Sequence, residues 1–342
     1  MSRLARLSGL VRSQVFTKVA ILGACVVLLY LSFPYFRDIR HIDQYFDSAE
    51  ERPIEVFDYK DTFDEKRCFD SVTPAPNPIP KIVHVAWFDN PELTFMTYLT
   101  IRSAIVSIKP DHINLHYTSL NETNKWFLQV RDHVRLVQHD LGKEYTTQVQ
   151  ENWQIKHISD LFRLDTIHKE GGIYLDMDVL ALRPFDNLLN SQKDVVLGHE
   201  GADRSELCNS VIVGRPGSQF IQRWRNSYSG NFSTDDWNYH STILPKELSE
   251  HHPDEICTLS PTAFSWPTWT KRHIDYMHEY LSETEAKEFA KEVVTNNGRL
   301  LQSQMTYHEW SKIASSHLDR LDPESVMRDA TRFNILARRF LN

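Results

Sequence analysis

The sequence predicts an α/β fold, a sheet flanked by helices and preceded by one transmembrane helix. Three patterns lead there: an uncharged apolar run near the amino terminus, short apolar runs alternating with helical stretches from residue 79 onward, and an apolar strand that ends in two aspartates. The 342 residues suffice for one large domain or two small ones, and a content of 41% hydrophobic and 25% charged residues is that of a folded chain rather than a disordered one. A net charge of −8, with no long basic run in the body, excludes nucleic acid as the main partner, because neutralising phosphates requires clustered Lys and Arg.

Arg3, Arg6, Arg12 and Lys18 precede the first acid, Asp38, and 18 uncharged residues run from Val19 to Phe36. As a helix that run covers about 27 Å, enough for a thin bilayer. Basic residues before it and acids after it predict a cytoplasmic tail over 1–18, a signal anchor over 19–36 and a lumenal body, the type II arrangement. A cleaved signal peptide is one rival, but no convincing small-x-small cleavage site follows the run. A mitochondrial presequence is another, and it would be amphipathic rather than continuously apolar. Cys25 lies in the apolar run, leaving Cys68, Cys208 and Cys257 for at most one internal disulfide. The sequence does not choose the pair; Cys208–Cys257 is preferred because both fall in the expected catalytic domain. Asn121-Glu122-Thr123 and Asn231-Phe232-Ser233 are glycosylation sequons, usable in a lumenal protein.

Residues 37–78 are acid-rich and end among Pro74, Pro76, Pro78 and Pro80, which suits an extended stem. A catalytic domain is expected over 79–315. Its first strand, Ile82–Trp87, is nearly all apolar, as a strand buried on both faces should be. A helix over 94–108, a strand at Ile113–Tyr117, a helix near 121–130 and a strand at Val134–Val137 follow, then strands at Gly172–Leu175, Val195–Leu197 and Val211–Val213. Residues 316–342 read as a basic amphipathic helix, with Val326, Met327, Phe333, Leu336, Phe340 and Leu341 among Arg328, Arg332, Arg338 and Arg339. Packing on the domain is preferred over membrane contact, although amphipathicity alone does not separate the two.

The chemistry concentrates in residues 157–186. Ile158, Leu161, Phe162, Leu164 and Ile167 have helical spacing, Gly171-Gly172 ends that helix, and Ile173-Tyr174-Leu175 runs into Asp176-Met177-Asp178. Ligands of open α/β sheets collect at the carboxyl ends of strands. Paired carboxylates there suit Mg²⁺ or Mn²⁺, which in turn bind diphosphate oxygens. A lone Asp-x-Asp would be a solvated turn as readily as a site; its setting after helix, glycine pair and strand is what lifts it. Asp160 and Arg163 share a helix face, either as a plain surface ion pair or as a grip on sugar hydroxyls bordering the same cleft.

The run SDLFRL…GGIYLDMDV resembles glycosyltransferase family 32, the enzymes with a DXD sugar-binding region, over roughly residues 79–312 and most specifically over 153–184. The resemblance implies a GT-A type fold with a Rossmann-like mixed sheet, a nucleotide-sugar donor, Mn²⁺ (or Mg²⁺) and retention of anomeric configuration; together with the signal anchor it leads to an expected residence in the Golgi membrane. By position it implies that Asp178 coordinates the metal directly and that Asp176 contacts the ribose or donor sugar and reaches the metal through water. Asp160 and Arg163 would hold donor hydroxyls beside Tyr174, Trp87 would stack on the base, and Asn209-Ser210 would line the sugar pocket. Tyr307-His308-Glu309-Trp310 resembles the family's late His-x-Trp element, in which His308 completes the metal shell and Trp310 approaches the diphosphate. One departure stands: the residues before His308, QSQMTY, are polar where the family has an apolar strand, which leaves a surface histidine as the alternative. Trp87 is equally compatible with core packing. The same choice, acceptor contact or core, applies to Asp235–His240 and to Trp266-Pro267-Thr268-Trp269.

These features imply transfer of a hexose from a UDP- or GDP-linked donor to a glycan or glycolipid in the secretory pathway. A phosphotransferase of the haloacid dehalogenase type is a rival, but it wants Thr or Val where this chain has Leu180, and its Asp-x-Asp strand opens the domain. An inactive carbohydrate-binding protein on the same fold is the second rival.

Overall fold

A computed structural model describes residues 60–70, 75–145, 155–201, 203–228 and 238–341. The expected tail and signal anchor, most of the expected stem and the sequon asparagine Asn231 lie outside the described residues. Among the described residues, no helix is long and apolar enough to cross a membrane.

Seven strands form the main sheet: β1 (Ile82–Trp87), β2 (His112–Tyr117), β3 (Val134–Gln138), β4 (Gly172–Leu175), β6 (Val195–Glu200), β7 (Glu206–Gly214) and β8 (Ile256–Leu259), in the order β3-β2-β1-β4-β7-β6-β8. Strand β7 is antiparallel to both its neighbours, and every other pairing is parallel. Two short strands, β5 (Val179–Ala181) and β9 (Thr306–His308), make a separate antiparallel pair. The mixed sheet is the one the family resemblance implies.

Side chains alternate across the sheet with period two. Ile173 and Leu175 join Val83, Val85, Ile113, Leu115, Val211 and Val213 in one core, while Tyr174 and Ile212 face a second core with Leu161, Leu164, Ile167 and Trp224. Because both faces are covered, the central strands read as nearly continuous apolar runs. Burying each Leu or Ile in this way stabilises the fold by roughly 1.5–3 kcal/mol.

Local chemistry sets the helix ends. Helix α1 (Phe63–Phe69) starts at a capping box between Thr62 and Glu65, and α2 (Phe95–Ser103) at one between Thr94 and Thr97 before continuing as a π-helical turn to Ile108. Helix α3 (Lys125–Val130) begins four residues later than Asn121, because the Asn124 side chain accepts from the N–H groups of Trp126 and Phe127. Helix α4 (Leu141–Glu144) is a single turn, and α5 (Ile155–Glu170) runs to the glycine pair. Gly171 and Gly172 have φ of 67° and 111°, and a Cβ on Gly172 would lie 2.6 Å from the Ile82 carbonyl oxygen. Only glycine lets β4 close against β1 at that point.

Three expectations need correction. The disulfide joins Cys68 to Cys257, not Cys208 to Cys257, and Cys208 is a buried free thiol. Residues 60–70, expected as extended stem, instead carry α1, whose Glu65 is buried and paired with Arg204 at 2.6 Å. The expected helix over 316–342 is broken into shorter pieces, because Asp322 and Thr331 each cap a new start, giving Pro323–Arg328 and Arg332–Ala337 after the helix Ser311–Leu318. Val326, Phe333 and Leu336 from these pieces, and Phe340 just beyond them, are buried in the first core, whereas Met327 is exposed.

Candidate active site

Asp176 and Asp178 follow the carboxyl end of β4. The Asp176 N–H donates to the Ser210 carbonyl at 2.9 Å and its own carbonyl accepts from Val179 at 3.1 Å, so the chain turns tightly into β5. The Asp176 and Asp178 side chains are 26% and 18% exposed, amid neighbours that are mostly buried, so both carboxylates remain open to a ligand.

A single guanidinium organises the first of them. Arg163, one turn of α5 beyond Asp160, donates through Nη1 to Asp176 Oδ2 at 3.0 Å, to the Asn209 carbonyl at 2.9 Å and to Asn209 Oδ1 at 3.1 Å. Its Nη2 lies 3.4 Å from Asp160 Oδ1, which also accepts from Asn209 Nδ2 at 2.7 Å. The Tyr174 hydroxyl donates to the other Asp176 oxygen at 3.0 Å, and the guanidinium stands over the Tyr174 ring at 4.8 Å. At 7% exposure Arg163 is not half of a surface ion pair. Helix α5, β4 and the adjacent β7 thus deliver Asp160, Arg163, Tyr174, Asp176 and Asn209 to one network.

Asp178 is held from the other side. Its Oδ2 accepts from the Ser311 N–H at 2.9 Å, at the start of the helix Ser311–Leu318, where the exposed amides favour an anion. Its Oδ1 lies 3.6 Å from His308 Nε2. The β5–β9 pairing sets His308 opposite Val179, beside the second aspartate. His308 is buried, so the surface-histidine alternative fails. Only the end of the polar run before it is strand, from Thr306, but Ser303 to Tyr307 are buried: Gln304 donates to the Trp266 carbonyl and Thr306 to the Phe264 carbonyl. Trp310 stacks on His308 with ring centroids 3.8 Å apart, but its indole N–H donates to the Pro267 carbonyl at 2.6 Å and is not free to point at a diphosphate.

Burial would raise the carboxyl of Asp178, yet the His308 charge and the Ser311 N–H outweigh it and bring the group down to about 2. Burial raises Asp176, Arg163 works against that, and the neighbouring Asp178 adds to it. Burial alone would lower His308, but Asp178, with Asp176 and Glu200 behind it, raises it instead. The arrangement is a partly open pair of carboxylates, one firmly anionic, flanked by a fixed cation and an imidazole.

Trp87 stands two residues beyond Val85, which is level with Leu175, and is partly buried against the core with its indole Nε1 enclosed and without a hydrogen-bond partner. Ser210 is buried beneath the site, where its hydroxyl accepts from the Cys208 thiol at 3.2 Å. Trp266 is buried. Asp235, Asp236 and Trp237 lie outside the described residues. Asn121 accepts through Oδ1 from the N–H and hydroxyl of Thr123 and donates to Glu92, in a turn on the surface.

Residues 80–195 match the family described as the glycosyltransferase sugar-binding region containing a DXD motif. Asp176-Met177-Asp178 is that motif. The segment 80–195 is a DXD sugar-binding region. Over 259 residues the chain is 33% identical to glucan organizing enzyme 1 of Cryptococcus neoformans var. grubii, a match covering 73% of this chain and 65% of that protein, so this chain spans somewhat less than two thirds of the relative's length. A shorter stretch of 68 residues is 38% identical to subversion of eukaryotic traffic protein A of Legionella pneumophila, covering 19% of this chain and 10% of that one. Among solved structures, the PaToxG glycosyltransferase aligns with a TM-score of 0.42 at 19% identity, over 63% of this chain and 80% of that one.

Sequence reasoning missed several residues around the DXD region. Ser311 contributes a main-chain N–H, which no side-chain pattern announces. Glu309 is wholly buried, accepts from His278 at 2.7 Å, and donates its own N–H to the Asp178 carbonyl at 2.9 Å, so it ties the strand bearing His308 to the helix Lys271–His278. Glu200, buried at the end of β6 and raised by that burial, lies within electrostatic reach of His308. A charged residue among apolar ones at a strand end was the available signal for Glu200.

Proposed function

We propose that the chain is a metal-dependent, retaining hexosyltransferase that takes a nucleotide sugar, UDP- or GDP-linked, and transfers the sugar to a glycan or glycolipid acceptor. One observation carries the reading: two partly exposed carboxylates at the carboxyl end of β4, one held anionic by His308 and Ser311, the other held by Arg163. The DXD match and the likeness to a protein named for glucan support it, and the name puts glucan on the list of acceptors to try.

Two aspartates and an imidazole with a buried, unpartnered Nδ1 are a donor set of the chemistry that Mn²⁺ or Mg²⁺ takes. Among the described residues, no three His, Cys, Asp or Glu side chains already converge as a ligand cluster, since Asp176 is turned toward Arg163 and Tyr174. Asp178 and Asp176 would hold the cation and His308 would complete its shell; bound there, it would offset the negative charge that grows on a departing diphosphate. Arg163 keeps Asp176 oriented and holds Asp160 and Asn209 where a donor hydroxyl would meet a carboxylate and an amide. The buried surroundings strengthen each of these contacts, because little water competes with them. Attack from the face the diphosphate leaves is the favoured route to retention, and a trapped glycosyl-protein adduct would overturn it.

We place the folded part in the lumen of the secretory pathway, as a Golgi membrane protein anchored through 19–36. The Cys68–Cys257 disulfide supports an oxidising compartment. Full-length protein in detergent, given Mn²⁺ and UDP-galactose, UDP-glucose, UDP-N-acetylglucosamine or GDP-mannose in turn, should release nucleoside diphosphate with one donor. Release should stop on chelation and fall about 100-fold or more in Asp178→Asn. Turnover indifferent to both treatments sinks the proposal.

A further inference from the structure

Away from the aspartates, three imidazoles on adjacent parallel strands form a continuous chain. His84 of β1 and His116 of β2 are buried, and His139 follows the end of β3. His84 Nε2 meets the Gly171 carbonyl at 3.0 Å, His84 Nδ1 meets His116 Nε2 at 3.0 Å, His116 Nδ1 meets His139 Nε2 at 2.9 Å, and His139 Nδ1 meets Glu144 Oε2 at 2.9 Å. The Phe162 ring lies edge-on to His116 and His139, with centroids 5.0 and 4.9 Å away.

The two ends of this chain fix its proton count. A carbonyl oxygen at one end and a carboxylate at the other can only accept. Four hydrogen bonds therefore need four N–H protons, all supplied by three rings, and three neutral imidazoles carry three between them. Asn114 gives an independent reading of the direction. Its Nδ2 lies 3.3 Å from Glu170 Oε2 and 3.4 Å from His84 Nδ1, so the same amide faces an acceptor on each side, and His84 carries its proton on Nε2, toward Gly171.

We infer that His84, His116, His139 and Glu144 form a one-proton latch: the three rings together hold one proton more than their neutral forms, and that proton fastens α4 to the sheet beside the DXD strand. The fastened helix matters because His139, Asp140, Leu141 and Gly142 wall a cavity of about 670 Å³ with Asp89 and Thr118, at the carboxyl edge of β1 to β3. At its other end the chain grips Gly171, the first residue of the turn into β4.

The direction of the bonds places the extra proton. Glu170 and Lys169 of α5 act in opposite senses on the inner rings, and His112 of β2 adds a weak repulsion at His84. With the His84 proton on Nε2, His84 Nδ1 accepts from His116 Nε2 and His116 Nδ1 accepts from His139 Nε2, so the count puts protons on both nitrogens of His139, with Nδ1 donating to the Glu144 carboxylate. Asp140 donates its main-chain N–H to Glu144 Oε1 at 3.0 Å and so holds that carboxylate in place. With the extra proton removed, the rings can still point toward Gly171, but His139 Nδ1 then opposes a carboxylate oxygen lone pair to lone pair. That contact is the one to open, and α4 goes with it.

Glu144→Gln separates this from ordinary packing. The glutamine keeps an acceptor for the Asp140 N–H and offers its amide N–H to His139 Nδ1, so all four bonds close with three neutral rings. In full-length protein labelled with nitrogen-15 histidine at pH 6, the wild type should show His84 and His116 neutral with Nε2 protonated, and His139 protonated on both nitrogens; in Glu144→Gln all three should be neutral. Amides of 142–145 should exchange at least tenfold faster at pH 8 than at pH 6 in the wild type, after correction for base catalysis, and equally in the variant. Three neutral rings in the wild type at pH 6, or a His84 proton on Nδ1, overturns the latch whether or not the variant folds. Exchange with the same pH dependence in both proteins also overturns it.

Discussion

Arg163 is the side chain whose geometry the site can least do without, since one planar group serves Asp176, Asp160, the Asn209 carbonyl and the Asn209 side chain. A lysine carries the charge but cannot reach four partners from one ammonium. Arg163→Lys should therefore lower kcat/KM by about 10- to 100-fold. It should also cost on the order of 1–3 kcal/mol of stability, because one ammonium leaves buried acceptors such as the Asn209 carbonyl without their donor. Initial rates and urea melts on the same preparation check both. If kcat/KM holds within twofold, the network is only scaffolding. Arg163 and Asp178 were legible in the sequence, because residue type and spacing carried them. Ser311 was not, because its contribution is an amide that every residue except proline owns.

At the scale of single elements, the glycine pair and the disulfide make separable predictions. Gly172→Ala puts a Cβ against the Ile82 carbonyl at a φ of 111°, so it should destabilise by about 2–4 kcal/mol, read from denaturant midpoints, and should lower activity by displacing β4. Cys68→Ser should cost about 2–5 kcal/mol, because the bridge closes a loop of 189 residues, and it should free α1 for proteolysis. Uncleaved α1 in Cys68→Ser would mean that the Glu65–Arg204 pair holds it alone. The strands buried on both faces were readable as apolar runs, β1 and β4 above all. Strand β9 was obscured by Gln304 and Thr306, polar residues that reach backbone carbonyls of a distant segment, a partner no local window contains. The breaks in the carboxyl-terminal helices were readable in principle from Asp322-Pro323 and Thr331, which are capping signals. Cysteine pairing was not, since it depends on α1 folding back on β8.

For the whole molecule, acid stability follows from buried histidines. Burial lowers His199 and His273 to about 4 from their ordinary value of about 6.5. The unfolded chain takes up those protons first, so their contribution is present above about pH 6.5 and is lost as pH falls toward about 4. Glu206 acts with the opposite sign: burial raises it to about 7, so its contribution is complete at low pH and is lost as pH rises through about 7. His116, lowered by burial to about 3, acts as these two histidines do, and the three against Glu206 leave stability rising with pH from about 4 to about 6.5, a Tm gain of roughly 5 °C or more. Calorimetry should show that gain, and a steeper one in Glu206→Gln; a flat or inverted profile refutes the assignment. The pairing of β5 with β9 has a consequence of another kind. Asp178 and His308 are partners separated by most of the second half of the chain, so a ribosome that has released the DXD segment still has more than a hundred residues to add before the imidazole can arrive. On the proposed reading, a polypeptide cut short between the two carries the motif without the imidazole that would complete its shell.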